Sequence, residues 1–166
     1  MTGRTHKTDT KGFLPVSRED MLARGWDWYD ILLVTGDAYV DHPSFGVSII
    51  GRLLTGCGYR VGLVAQPDWR DPEALKVMGR PRIGVGVTSG NMDSMVNIYT
   101  VGRRFRKDDC FSENGETGRR PPHALIVYAQ LVRQAFPGIR IQLGGLEASF
   151  RRIAHYDYWQ DKLKRS

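Results

Sequence analysis

The sequence predicts an α/β domain, an open parallel sheet with helices on both faces. Two observations predict it, and 166 residues are enough for one domain with a core. The first is four short apolar runs, Asp30–Thr35, Arg60–Ala65, Arg82–Thr88 and Ile139–Gly145, rich in Val, Ile and Leu and without clean alternation. That is the composition of parallel strands buried on both sides. The second is that helical stretches separate these runs with short connections, the rhythm of a parallel sheet with right-handed crossovers.

Taken in order, Met1–Lys11 is polar and charged with no apolar core, so no secretory leader is expected. Residues 1–12 read as a disordered head and 13–166 as one domain. Within the lead-in Gly12–Trp28, Ser17-Arg18-Glu19-Asp20 has the hydroxyl cap and acidic first turn of a helix start. Phe13, Trp26, Trp28 and Tyr29 need an apolar surface to cover. After the first strand, Val47, Ile50, Leu54 and Cys57 recur at helical spacing, with Ser44 as N-cap and Gly56 and Gly58 as terminators. Asp71 before Pro72-Glu73 caps a helix reaching about Met78. Gly102–Pro121 is polar, basic and aperiodic, and a loop so long in a compact domain is functional or disordered. Pro122–Phe136 is a helix with Leu125, Tyr128, Leu131, Val132 and Ala135 on one side, ended by Pro137-Gly138. Glu147–His155 reads as a last helix, followed by a charged run to Ser166 and no further strand. A doubly wound sheet ordinarily has a fifth strand there. The expectation is therefore a sheet lacking its last strand, with one edge bare.

Hydrophobic residues make up 41% and charged residues 25% of the chain, an ordinary globular composition. No apolar run reaches the roughly 18–20 residues of a membrane span, so a cytoplasmic protein without membrane contact is expected. The two cysteines, Cys57 on the helical stripe and Cys110 in the polar loop, form no Cys-x-x-Cys pair. A zinc site of the usual kind and a four-cysteine iron–sulfur site are thereby excluded within the chain. The net charge is +6, with clusters at Arg103–Lys107, Arg119–Arg120 and Arg151–Arg152. Such a balance permits nucleic-acid binding. A solvated face, or one that meets another domain, accounts for it equally. No recognition helix or aromatic RNA-binding strand accompanies it, so nucleic acid is not the expected partner.

Three loops should meet at the carboxyl edge of the sheet, where ligands bind in such folds. The stretch Gly36–Gly46 contributes Asp37 and Ser44, the turn after the third strand contributes Ser89, Gly90 and Asn91, and the last turn contributes Gly144, Gly145 and Glu147. Small residues, hydroxyls and helix N-termini there suit close approach of a phosphate or amide group. These eight residues are the candidate cofactor-binding set. Glycines at strand ends also simply make tight turns. Asp41-His42 has the makings of a metal ligand or acid/base pair, but Asp and Pro43 equally serve the turn, and no metal site is expected. A phosphate-binding Gly-Lys-Ser/Thr, a Gly-x-Gly-x-x-Gly after the first strand and a Gly-x-Ser-x-Gly elbow are all absent. Gly84-Val85-Gly86 lies inside a strand. The third strand ends Val87-Thr88-Ser89 rather than on the lone Asp of a phospho-receiver. No catalytic residues are assigned.

The run Gly36-Asp37-Ala38-Tyr39-Val40-Asp41-His42-Pro43-Ser44-Phe45-Gly46 resembles the opening of YgiQ-type radical SAM proteins. So do Gly90-Asn91-Met92-Asp93-Ser94-Met95-Val96-Asn97, Arg120-Pro121, Gly144-Gly145-Leu146-Glu147-Ala148-Ser149 and His155-Tyr156-Asp157-Tyr158-Trp159. The resemblance implies a cobalamin-binding-like, flavodoxin-like N-terminal domain. In that family it precedes a radical SAM barrel whose [4Fe-4S] cluster sits on Cys-x-x-x-Cys-x-x-Cys and works with S-adenosylmethionine. This chain has too few cysteines for that motif, so it is expected to be a fragment or truncated frame, inert alone, with the barrel as its partner. Domains that hold cobalamin through a histidine carry Asp-x-His-x-x-Gly. Here His42 follows Asp41 directly and Gly46 comes four positions later, so any cobalamin binding is expected not to use His42. The alternatives are a stand-alone small-ligand module and a basic nucleic-acid-binding domain.

Overall fold

The computed structural model describes residues 12–165; the expected disorder of the head lies, but for Gly12, outside them. All four apolar runs are strands: β1 (Ile31–Thr35), β2 (Val61–Ala65), β3 (Gly84–Thr88) and β4 (Arg140–Leu143); β4, expected to be buried on both sides, is instead largely exposed because it lies at the edge of the sheet. They form one parallel sheet in the order β2-β1-β3-β4. That is the flavodoxin-like order without a fifth strand beyond β4 among the described residues.

Alternation along β1 sorts the sheet's two faces. Leu32 and Val34, with Val64, Val85 and Val87, point into the larger core. There they meet Leu125, Tyr128, Leu131 and Val132 of α4 (Ala124–Ala135) and Ala148 of α5 (Gly145–Arg151). The stripe read from the sequence is the buried stripe of α4. Met21 of α1 (Arg18–Ala23) and Tyr29 close this core. The expected hydroxyl cap and acidic first turn of α1 are present, and Ser17 and Asp20 close them into a full capping box. Ile31 and Leu33, with Val61 and Leu63, point to the other face, where α2 (Gly46–Gly56) packs through Val47 and Leu54.

Several expectations are corrected. Ser44 does not cap α2: Phe45 holds that position without a side-chain bond, and Ser44 Oγ lies 2.7 Å from His42 Nδ1. The buried side of α2 is Val47, Ser48 and Gly51, while Ile50 is 46% exposed. The cause is Leu14, whose Cδ1 would lie 2.3 Å from a Cβ at Gly51, so the lead-in rides on the helix there. Cys57 is the exposed C-cap of α2 rather than part of its stripe. The Asp71 cap is present, with its side chain accepting from the Glu73 N–H, but the turn is 3₁₀ and ends at Leu75. A short helix unread in the sequence, α3 (Ser94–Ile98), starts on the side chain of Asp93. Finally α5 stops at Arg151, and two strands follow, β5 (His155–Asp157) and β6 (Lys162–Lys164). They pair antiparallel as a separate hairpin, not as a fifth strand of the main sheet. Asp157 turns it by accepting from the Trp159 and Gln160 N–H groups, local chemistry that competes with helix.

Candidate functional site

The order β2-β1-β3-β4 reverses direction between β1 and β3, and the crevice outside the carboxyl ends of those strands is the ligand position of such sheets. The three expected loops do meet there. The Gly36 N–H donates to Thr88 O at 3.3 Å, the Gly144 N–H to Val87 O at 2.9 Å, and the Asn91 N–H to Asp37 Oδ2 at 2.7 Å. Much of the small-residue spacing serves the loops' contact with one another. A Cβ on Gly36 would lie 2.2 Å from Ser89 O, and one on Gly90, at φ +110°, 2.0 Å from Asp37 Oδ1. A Cβ on Gly145 would meet Thr88 Oγ1 at 2.5 Å, whereas Gly144 has nothing within 4 Å.

The fastening is a buried charge cluster. Arg120, 2% exposed, lies at 2.8 Å from Asp37 and 3.4 Å from Asp109, and its Nη1 donates to Ser89 O at 2.7 Å. Burial pushes the Asp37 carboxyl up, against the pull of Arg120 and of the Asn91 N–H. Asp109 is held below its ordinary range: burial opposes ionisation there, but the Asn97 side chain, the Phe111 N–H and Arg120 outweigh it. The aperiodic segment Gly102–Pro121 is thus an ordered strap over the sheet edge. Its Phe111 O accepts from the Ala38 N–H, and Gln66 Nε2 ties Gly36 O to Ser112 Oγ. Sequence reading missed Asp109, Gln66 and the role of Arg120. A charge in an aperiodic loop carries no burial signal, although Arg120-Pro121 did stand out by resemblance.

A cavity of about 600 Å³ runs from this crevice along the α2 side of β3 and β4, within the usual range for small-ligand sites. Asp37, Ser44, Gly90, Asn91, Gly144 and Gly145 of the candidate set line it. Ser89 and Glu147 do not. Ser89 is buried, its Oγ donating to Met92 O at 3.0 Å. Glu147, fully buried, accepts from the Ser94 N–H at 3.0 Å and pairs with Arg151 at 3.0 Å. Burial works against its charge, but Ser94 and Arg151 hold its carboxyl below the ordinary range.

His42 is bonded to Ser44 and does not line the cavity, and Asp41 pairs with Arg52. Among the described residues no group of three or more His, Cys, Asp or Glu could hold a metal ion, and no helix is long and apolar enough to cross a membrane. Cys57 and Cys110 are exposed on separate elements. These residues do not fit a [4Fe-4S] cluster, and the cavity offers cobalt neither His nor Cys. The basic clusters are partly engaged by the fold itself, one residue in the interior and the others nearer the surface. Arg120 is buried, Arg119 pairs with Glu116, Arg151 with Glu147, and Arg103 stacks on Tyr158.

The chain is thus of the α/β class, a flavodoxin-like sheet with a strapped carboxyl edge and a cavity at its switch point. Residues 13–166 match the Radical SAM N-terminal family, and the chain belongs to it. It is 62% identical over 154 residues to UPF0313 proteins of Bradyrhizobium diazoefficiens and Rhodopseudomonas palustris, covering 93% of this chain and 23% of each relative. A UPF0313 protein of Vibrio vulnificus is 58% identical over 157 residues, 95% of this chain and 20% of the relative. The chain thus spans about a fifth of the length of these relatives. No solved structure matches it.

Proposed function

We propose that the chain is the N-terminal accessory unit of a cytoplasmic radical SAM, iron–sulfur protein, and that it is catalytically inert by itself. One observation carries this reading: a Radical SAM N-terminal match over residues 13–166 in a chain that spans about a fifth of its relatives and lacks the cysteines for a cluster. In this reading the [4Fe-4S] cluster and S-adenosylmethionine belong to a barrel elsewhere in the longer protein, and residues 13–166 form the unit that meets it. Asp37, Ser44, Gly90, Asn91, Gly144 and Gly145 present the crevice to that partner or to a ligand shared with it. Ser89 and Glu147 hold the crevice's walls in place from behind. The coding DNA next to this unit tests the reading. A Cys-x-x-x-Cys-x-x-Cys motif in the same or adjoining frame is expected, and a frame without one contradicts it.

A second reading, a stand-alone small-ligand module, is favoured by the size and position of the cavity. Cobalamin is its natural probe. Hydroxocobalamin mixed with the protein is expected to show no spectral change that depends on His42, because that ring is engaged by Ser44 and does not itself line the cavity. A change abolished by His42→Ala contradicts this.

A further inference from the structure

The cavity has two halves of different character. The polar half, at the switch point, is closed by Thr35, Asp37 and Asn91. The other half is a groove on the open face of β3 and β4. We propose that this groove is a docking site rather than ligand space. Its occupant is a strand followed by an amphipathic helix, supplied by the part of the longer proteins outside the matched stretch. The proposal rests on the reading of the chain as an accessory unit.

The sheet itself argues for this occupant. Opposite the large core, α2 covers β1 and β2, but the register places Gly84, Gly86, Arg140 and Gln142 on the rest of that face. The two glycines bring no side chain to this face: Leu33 leans over Gly86, where a Cβ would lie 2.9 Å from its Cδ2, and Gly86, Gln142 and Leu33 form the groove's floor. The groove's far wall is α2, with Ile49 and Ile50 50% and 46% exposed; Leu53, one turn further along α2, is 61% exposed, and Leu146 at the groove's end is 50% exposed. Beside it the β4 ladder has no partner on its outer side among the described residues, an edge that proteins ordinarily cover. In a doubly wound sheet of this order the next strand lies against β4. The helix following that strand has only the α2 face available, since α4 and α5 hold the other. A second copy fits less well. It could pair its own β4, but α2, α4 and α5 are already packed on the sheet, and it would bring no helix to fill the groove. The relatives, of which this unit is 20–23%, have ample chain to supply one. Ligand space then shrinks to the crevice.

Hydrogen exchange on this chain and on the intact Bradyrhizobium relative tests the proposal. The backbone amides of β4 are expected to exchange at least tenfold more slowly in the intact relative than in this chain. Aspartates at the relative's counterparts of Ile50 and Leu53 are expected to erase that protection. Ile50→Asp with Leu53→Asp in this chain should leave its unfolding midpoint unchanged, because both side chains face solvent. Equal β4 exchange in the two proteins, or protection that survives the aspartates, overturns the proposal. A dimer of this chain that protects β4 unaided also overturns it and assigns the edge to a second copy. A relative without a cluster would sink the accessory reading yet leave the exchange comparison intact, so the two failures are distinguishable.

Discussion

Gly90 and Gly144 lack side chains for different reasons. At Gly90 a Cβ would enter the Asp37 carboxylate, and φ is +110°. Gly90→Ala is expected to cost about 2 to 4 kcal/mol in urea unfolding, from strain and overpacking together. Gly144 faces open space at an extended φ of −147°, so Gly144→Ala should change stability by no more than about 0.5 kcal/mol. The sequence showed both as glycines at a strand end and could not separate them, because the distinction lies in which loop crosses behind. Arg120 is the larger case. Arg120→Met strands two buried carboxylates and is expected to cost about 3 to 5 kcal/mol, most of it recovered when Asp37→Asn and Asp109→Asn are added. A cost below about 1 kcal/mol would show that the cluster does not hold the loops. Glu147 sets a pH dependence. Its folded pKa lies below the ordinary 4.5, so its contribution is present above that value and is lost as pH falls through the folded one. Asp109 acts in the same direction, and Asp37, with its pKa raised, in the opposite one. Glu147→Gln should therefore narrow the loss of stability between about pH 7 and about pH 3, read as urea midpoints.

Among the elements, those buried by strong periodicity were legible and those fixed by local or distant polar contacts were not. The stripe of α4 and the four strands follow from apolar pattern alone. The α2 helix was legible but its rotation was not, because Leu14, more than thirty residues away, chooses Gly51 as its seat. The strap Gly102–Pro121 has no period to read; Arg120, Asp109 and Gln66 order it. Gln66→Ala removes the donor to both Gly36 O and Ser112 Oγ. It is expected to cost about 1 to 2 kcal/mol and to make the strap the first segment cut in limited proteolysis. Unchanged cleavage order would mean that Gln66 is not what closes the strap. The tail hairpin was missed because Asp157 makes a turn where the surrounding residues permit a helix.

At the scale of the molecule, a sheet of flavodoxin-like order is covered on one face and half-covered on the other. The chain spans about a fifth of the length of the relatives it matches, and an accessory unit, as proposed above, joins these two observations. The candidate crevice was legible as three loops at one edge, and six of its eight residues line the cavity. The other two, Ser89 and Glu147, are buried supports, a distinction that only packing reveals. Anaerobic reconstitution with iron and sulfide tests the account most directly, run on this chain and on the intact Bradyrhizobium relative. The intact relative is expected to take up about four irons per chain and to cleave S-adenosylmethionine, while this chain assembles no cluster and cleaves none. A cluster assembled on this chain alone, or an intact relative that assembles none, would contradict it.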